Sequence, residues 1–328
     1  MFTDPRFHRP LDSCCRKSRH DRVSRLLKSS TYEATDKAPM MYHLVELYAP
    51  TRLHEVNSTL FGVYRTGCPF WGVCDTFVCD QPGCGRELHA ILMDDILIET
   101  IDQITRQLYD LLDPTDQNDL FLRKATDAEK DRAQRMLRNL AFLTESEPQI
   151  STTPPPDRFP DYWVAETMCN ALAFLVVHET THLGQQTMGP EAFQMHIPAV
   201  IEIAQQDGIK LTKEQTISWA RELGADVSAF LIMSIDRQQA ALPDAIREAT
   251  YRCITTGAAL ALKAWDLLIY ERCYGNPDYH KKIVDGHPPA RARIAHILDY
   301  AIEAGRLKIA GDERWAARML DALDDLHL

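Results

Sequence analysis

The chain has 328 residues, 45% hydrophobic and 25% charged, which is enough for a full apolar core in one large domain or two small ones. Its net charge of -11 argues against general nucleic-acid binding. No run of about 18 uncharged apolar residues exists, so no transmembrane segment is expected, and the apolar stretch Ile254–Tyr270 carries Lys263 and Asp266.

The first thirty residues contain eight Lys or Arg and no apolar run of signal-peptide type. Asp4, Asp12 and Asp21 also set them apart from an acid-poor transit peptide. Composition reads residues 1–40 as a disordered basic tail. Met40-Met41 offers an alternative start. Nine cysteines without a secretory signal suggest free thiols in a reducing compartment, the cytoplasm.

Residues 41–150 read as an α+β region. Strands are expected over 42–50 and from Thr59 to Arg65. The Cys-, Gly- and Pro-rich stretch from Cys68 to Gly85 reads as loop, and Glu87 to Leu112 has helical spacing, with Ile96-Leu97-Ile98 also compatible with a strand. Thr126-Asp127-Ala128-Glu129 is a capping box opening a helix to about Leu143. Within the loop, Cys68, Cys74, Cys79 and Cys84 are separated by five, four and four residues. Two of those gaps sit at the edge of the usual zinc-knuckle spacing and one lies outside it. A second, structural zinc and plain loop thiols are both open.

Residues 151–160 form a proline-rich linker around Pro154-Pro155-Pro156. From 161 to 328 the pattern is helical nearly throughout. One helix carries His178 and His182, and another runs from about Lys213 to Ile235. A third spans Pro243-Asp244 to Cys273, a fourth opens at Pro288 or Pro289, and the last starts at Asp312.

The chemistry begins at His178-Glu179-Thr180-Thr181-His182, which spells H-E-x-x-H at the end of the apolar run Ala171–Val177. Residues i and i+4 share a helix face, so both imidazoles can address one Zn²⁺, with Glu179 in reach of a water. The competing account is two ordinary core histidines. A catalytic zinc needs a third protein ligand and an open position. No third histidine follows at the spacing H-E-x-x-H-x-x-G-x-x-H, because Leu183, Gly184, Gln185 and Gln186 come next. Glu222 is the preferred third ligand, with Glu191, Glu202 and Glu214 as competitors. Asp226 lies one turn beyond Glu222 and suits an acceptor for a ligand's second N–H. His287 precedes a helix start, and Arg293 lies on that helix. Either Glu222 or Asp226 could take its guanidinium bidentately.

H-E-x-x-H, then Glu222-x-x-x-Asp226, then His287-Pro288-Pro289-x-x-x-Arg293-Ile294 resembles the motif order of HtpX-like and CAAX-prenyl-protease-like gluzincins. The resemblance covers about residues 165–300, roughly half the chain. It implies a zincin-like catalytic domain in a predominantly helical α+β fold. It further implies zinc on His178, His182 and Glu222, Glu179 as base, and His287 and Arg293 near the reacting centre. Those relatives are often membrane-embedded, and the first 150 residues match nothing in them. H-E-x-x-H in a chain with no spanning helix is also similar to the phage-exclusion peptidases of Lit type. The expected activity is zinc-dependent hydrolysis of a protein or peptide substrate, with His287, Tyr274 or Tyr279 assisting the oxyanion. Rival readings are hydrolysis of a non-peptide amide, a toxin- or defence-like protease with one protein target, and a non-catalytic zincin-fold binding protein.

Overall fold

The computed structural model describes residues 35–36, 49, 60–66, 73–78, 84, 87–111, 161–185, 188–239, 244–273, 286–303 and 319–326. These are mostly helical. A four-stranded sheet is built from β1 (Thr35–Asp36), β2 (Leu60–Thr66), β3 (Val73–Val78) and β4 (Glu87–Asp94) in the order β1-β2-β4-β3. β2 and β4 pair in parallel, and β3 and β4 pair antiparallel. Two expectations change here. Part of the Cys68–Gly85 stretch is strand β3, and the helix expected from Glu87 starts only at Asp95. Both corrections have one cause. Val73-Cys-Asp-Thr-Phe-Val78 is rich in β-branched and aromatic residues, and β4 has a hydrogen-bonding neighbour on each edge, a non-local gain that overrides local spacing.

Helix α1 (Asp95–Leu111) follows β4 directly. Leu97, Ile98, Ile101, Ile104 and Leu108 recur at three and four residues and are buried. Helix α2 (Asp161–Gln185) carries the H-E-x-x-H sequence, and every side chain from Val164 to His178 is buried. It is apolar all round because it packs on α1, on α4 (Lys213–Gln239) and on α5 (Asp244–Cys273). Tyr109 and Thr167 bridge α1 and α2 through their hydroxyls at 2.7 Å. The approach of α5 to α2 requires Gly257: a Cβ there would stand 2.7 Å from the Ala171 nitrogen.

After α2 come a 3-10 helix (Pro190–His196) and α3 (Ile197–Gln206). Gly208, at φ 66°, ends α3 in the left-handed conformation that a side chain resists. Thr212 and Gln215 then form a reciprocal capping box, Thr212 N–H to Gln215 Oε1 at 2.7 Å and Gln215 N–H to Thr212 Oγ1 at 3.2 Å. Helix α6 (Ala290–Glu303) starts after Pro288-Pro289, and Arg291 pairs with Asp324 in the helical segment 319–324.

Two apolar clusters result. The larger joins Ile91, α1, α2, the second half of α4, α5 and α6. The smaller joins Phe193, Val200, Ile203, Ala204, Trp219, Ala220 and Leu223. Helix α4 passes from one to the other, and Glu222 and Asp226 lie where it crosses. Among the described residues, no helix is long and apolar enough to cross a membrane. The helix expected over 126–143 and the proline-rich 151–160 lie outside the described residues, as do the strand over 42–50 apart from Ala49 and the tail expected over 1–40 apart from Thr35–Asp36, which pairs with β2 as strand β1 instead of being disordered.

Candidate metal centre

Four elements deliver the candidate site. Helix α2 ends with His178 and His182 one turn apart. Their Nε2 atoms face each other at 3.1 Å, with ring centroids at 4.7 Å. From α4, Glu222 sends Oε2 to 3.4 Å from His178 Nε2 and Oε1 to 3.4 Å from His182 Nε2. One ligand atom from each of the three residues lies within 4.8 Å of the other two, and the group is the only one of its kind among the described residues.

The separations fit a shared metal. Tetrahedral zinc with ligand bonds of about 2.0–2.2 Å holds its donors about 3.3–3.5 Å apart. The two Nε2 atoms, 3.1 Å apart and each with its own Glu222 oxygen at 3.4 Å, approach that spacing. The outward ring nitrogens are engaged as well. His178 Nδ1 lies 3.0 Å from Asp226 Oδ1, and His182 Nδ1 lies 2.9 Å from Gln185 Oε1. The Gln185 oxygen at His182 Nδ1 and the Asp226 charge beside His178 Nδ1 both favour protons on those nitrogens, which leaves Nε2 for a metal. His178, His182 and Glu222 can therefore hold a metal ion.

Arg293 arrives from α6, 2% exposed. Its Nε donates to Asp226 Oδ2 and its Nη2 to Asp226 Oδ1, both at 2.8 Å, and Nη2 also lies 3.3 Å from Glu222 Oε2. The guanidinium thus grips Asp226 bidentately and touches Glu222 from the side. Both partners left open by the sequence are used, unequally. Trp265 of α5 lies between Arg293 and His287, 5.5 Å from the guanidinium carbon and with ring centroids 4.9 Å from His287. His287 is more exposed than the other members, and its Nε2 lies 3.6 Å from Glu222 Oε1. Ser218 fixes its approach by donating to the carbonyl of Gly286 at 3.0 Å. Glu179 is half-buried on α2, close enough for its charge to act on Arg293.

The electrostatics follow from this crowding. Burial disfavours the charged form of His178, but Asp226 and Glu222 outweigh it and raise its pKa to about 10. His182 moves the other way: burial lowers it, Glu222 opposes that, and the neighbouring His178 adds to it. Without a metal, His178 is an imidazolium that can direct its Nε2 proton at the unprotonated Nε2 of His182. Glu222 is held well below the usual carboxylate range: burial opposes ionisation, and His287, His182, His178 and Arg293 overcome it. Asp226 is lowered in the same manner by Arg293 and His178 against its burial.

The competitors for the third ligand do not join the group. Glu191, Glu202 and Glu214 are exposed. Cys68 and Cys79 lie outside the described residues, as do Tyr274 and Tyr279. Cys74 is on β3, and Cys84 sits half-buried in a turn. Gln185 had no role in the sequence beyond breaking a longer histidine motif. Its signal there was only a polar residue almost one turn past the second histidine. No model of a known protein family, no curated protein and no solved structure matches the chain.

Proposed function

We propose that the chain is a zinc-dependent metallopeptidase with a gluzincin-type site in a zincin-like domain, acting on a protein or peptide. The observation that carries this reading is the triangle of His178, His182 and Glu222 with the carboxylate of Glu179 one residue from the first ligand. Two imidazoles and one carboxylate also suit non-haem iron. Glu179 favours hydrolysis, because a carboxylate beside the ligands is what an attacking water needs as base.

His178, His182 and Glu222 would hold the ion, and zinc there supplies a Lewis acid that polarises a carbonyl and makes water a nucleophile near neutral pH. Glu179 accepts the proton of the attacking water and returns it to the leaving amine. Asp226 keeps the proton of His178 on Nδ1, and Arg293 keeps Asp226 in place. His287, whose Nε2 lies 3.6 Å from Glu222 Oε1, would supply a donor to a developing oxyanion.

The test is metal content beside hydrolysis of a peptide library. Wild type should carry one zinc in this site, and His178→Ala and Glu222→Ala should each lose it. Glu179→Gln should keep the zinc and lose cleavage. Zinc retained in Glu222→Ala would move the third ligand elsewhere, and cleavage retained in Glu179→Gln would remove the proposed base.

A further inference from the structure

We propose that Gln185 is a positioning residue of the metal centre, which sets the tautomer and ring angle of His182 through its side-chain oxygen. The inference rests on the reading that His178, His182 and Glu222 hold a metal.

Gln185 is the last residue of α2 and is buried. Its two amide atoms face different helices. Nε2 donates to the carbonyl of Arg221 at 3.0 Å, and Oε1 lies 2.9 Å from His182 Nδ1. The first contact fixes the second. A backbone carbonyl only accepts, so the NH₂ end must face Arg221 and the oxygen must face His182. His182 is thereby obliged to carry its proton on Nδ1 and to present Nε2 as a lone pair. Arg221 immediately precedes Glu222, so one side chain ties the second histidine to the backbone beside the third ligand. Gly224 faces the same junction: a Cβ there would crowd His196 Cδ2 at 3.2 Å and make ordinary contact with Gln185 Nε2 at 3.6 Å.

The two histidines are then supported differently. His178 has a carboxylate behind it, itself held by Arg293, whereas His182 has a neutral amide. Removal of such a partner typically weakens metal affinity about 10–100-fold. Two substitutions separate ring orientation from helix packing. Gln185→Leu removes both contacts at similar volume. Gln185→Glu keeps an acceptor for His182 and loses the donor to Arg221.

The experiment is competition for Zn²⁺ between a chelator and the metal-free full chain. Circular dichroism of each variant checks its fold, and the visible spectrum of the Co²⁺ form checks its coordination geometry. Gln185→Leu should bind zinc about 10–100-fold more weakly than wild type, with an altered Co²⁺ spectrum. Gln185→Glu should stay within about threefold of wild type, because the acceptor remains. It is isosteric and carries the test by itself if the leucine variant does not fold. Wild-type affinity in Gln185→Leu would overturn the proposal, as would a glutamate variant that loses affinity tenfold or more. Wild type that takes up no zinc would overturn the metal centre itself, a result separable from either variant outcome.

Discussion

Asp226→Asn is the most demanding perturbation of this site, since it changes one atom and one charge. Asp226 is fully buried, with two Arg293 donors and the His178 imidazole converging on it. Oδ1 faces His178 Nδ1 at 3.0 Å and Arg293 Nη2 at 2.8 Å, and Oδ2 faces Arg293 Nε at 2.8 Å. Only a carboxylate can accept both Arg293 donors and balance the His178 charge. An asparagine in its better orientation keeps the oxygen at the Oδ1 position and turns its NH₂ against Arg293 Nε. Leaving one partner of a buried pair uncompensated costs about 3–5 kcal/mol. Glu222, 3.3 Å from Arg293, supplies a remaining counter-charge and places the expected loss at the lower end, about 3 kcal/mol. For a chain of 328 residues, with an unfolding entropy of about 0.7 kcal/mol/K, that lowers the melting temperature by roughly 4 °C. Weaker support for His178 should also reduce zinc affinity about 10–100-fold. Differential scanning fluorimetry of the metal-free protein and chelator competition for Zn²⁺ measure the two effects. A melt within about 1 °C of wild type together with unchanged affinity would refute this account of Asp226.

The site's charge state predicts how pH acts on the metal-free protein. The folded pKa of His178 is raised to about 10, above its ordinary 6.5, so its contribution to stability is complete below pH 6.5 and is lost as pH rises through 10. Melting temperature should fall across that window, and His178→Ala should flatten the fall. Zinc binding near pH 7 must displace the His178 proton, so calorimetry in buffers of different ionisation enthalpy should report about one proton released. Gly257→Ala should destabilise the chain by about 1–3 kcal/mol in thermal melts, because its Cβ meets the α2 backbone. A neutral or stabilising alanine there would show that the two helices can part without cost.

What the sequence made legible is what short-range geometry decides. His178 and His182 share a face because four residues make about one turn, and the buried apolar run before them places that turn at the edge of a core. Glu222 and Asp226 were legible for the same reason, one turn apart on α4, and the structure brings both to the histidines. The helix opening after Pro288-Pro289 also follows the sequence reading, and Arg293 on it reaches the two carboxylates left open there. The misreadings are non-local. Spacing through Ile91, Leu97, Ile98 and Ile101 runs smoothly across the β4–α1 junction, and only pairing with β2 and β3 decides that its first part is strand. Gln185 was invisible because its meaning depends on a carbonyl 36 positions away. The unequal division of Arg293 between Asp226 and Glu222 likewise depends on how α6 settles against α4.

The charges around Glu222 show why this cluster tolerates its burial and what it lacks. In the metal-free protein, Glu222 and Asp226 contribute two negative charges, and Arg293 and protonated His178 contribute two positive ones. The buried group is neutral, which is the condition under which ionised side chains persist away from water. A divalent cation that replaces the His178 proton leaves the same group with one excess positive charge. The next carboxylate in electrostatic reach is Glu179, whose charge already acts on Arg293. Glu179 therefore has an electrostatic reason to be ionised in the metal-loaded state, and an ionised carboxylate is what a base must be. On this account Glu179→Gln does more than remove a proton acceptor: it leaves the loaded site one charge short of neutrality. Zinc affinity of Glu179→Gln should then fall modestly, by a few-fold, while cleavage falls by orders of magnitude. Affinity that rose on neutralising Glu179 would break this balance and the assignment of base with it.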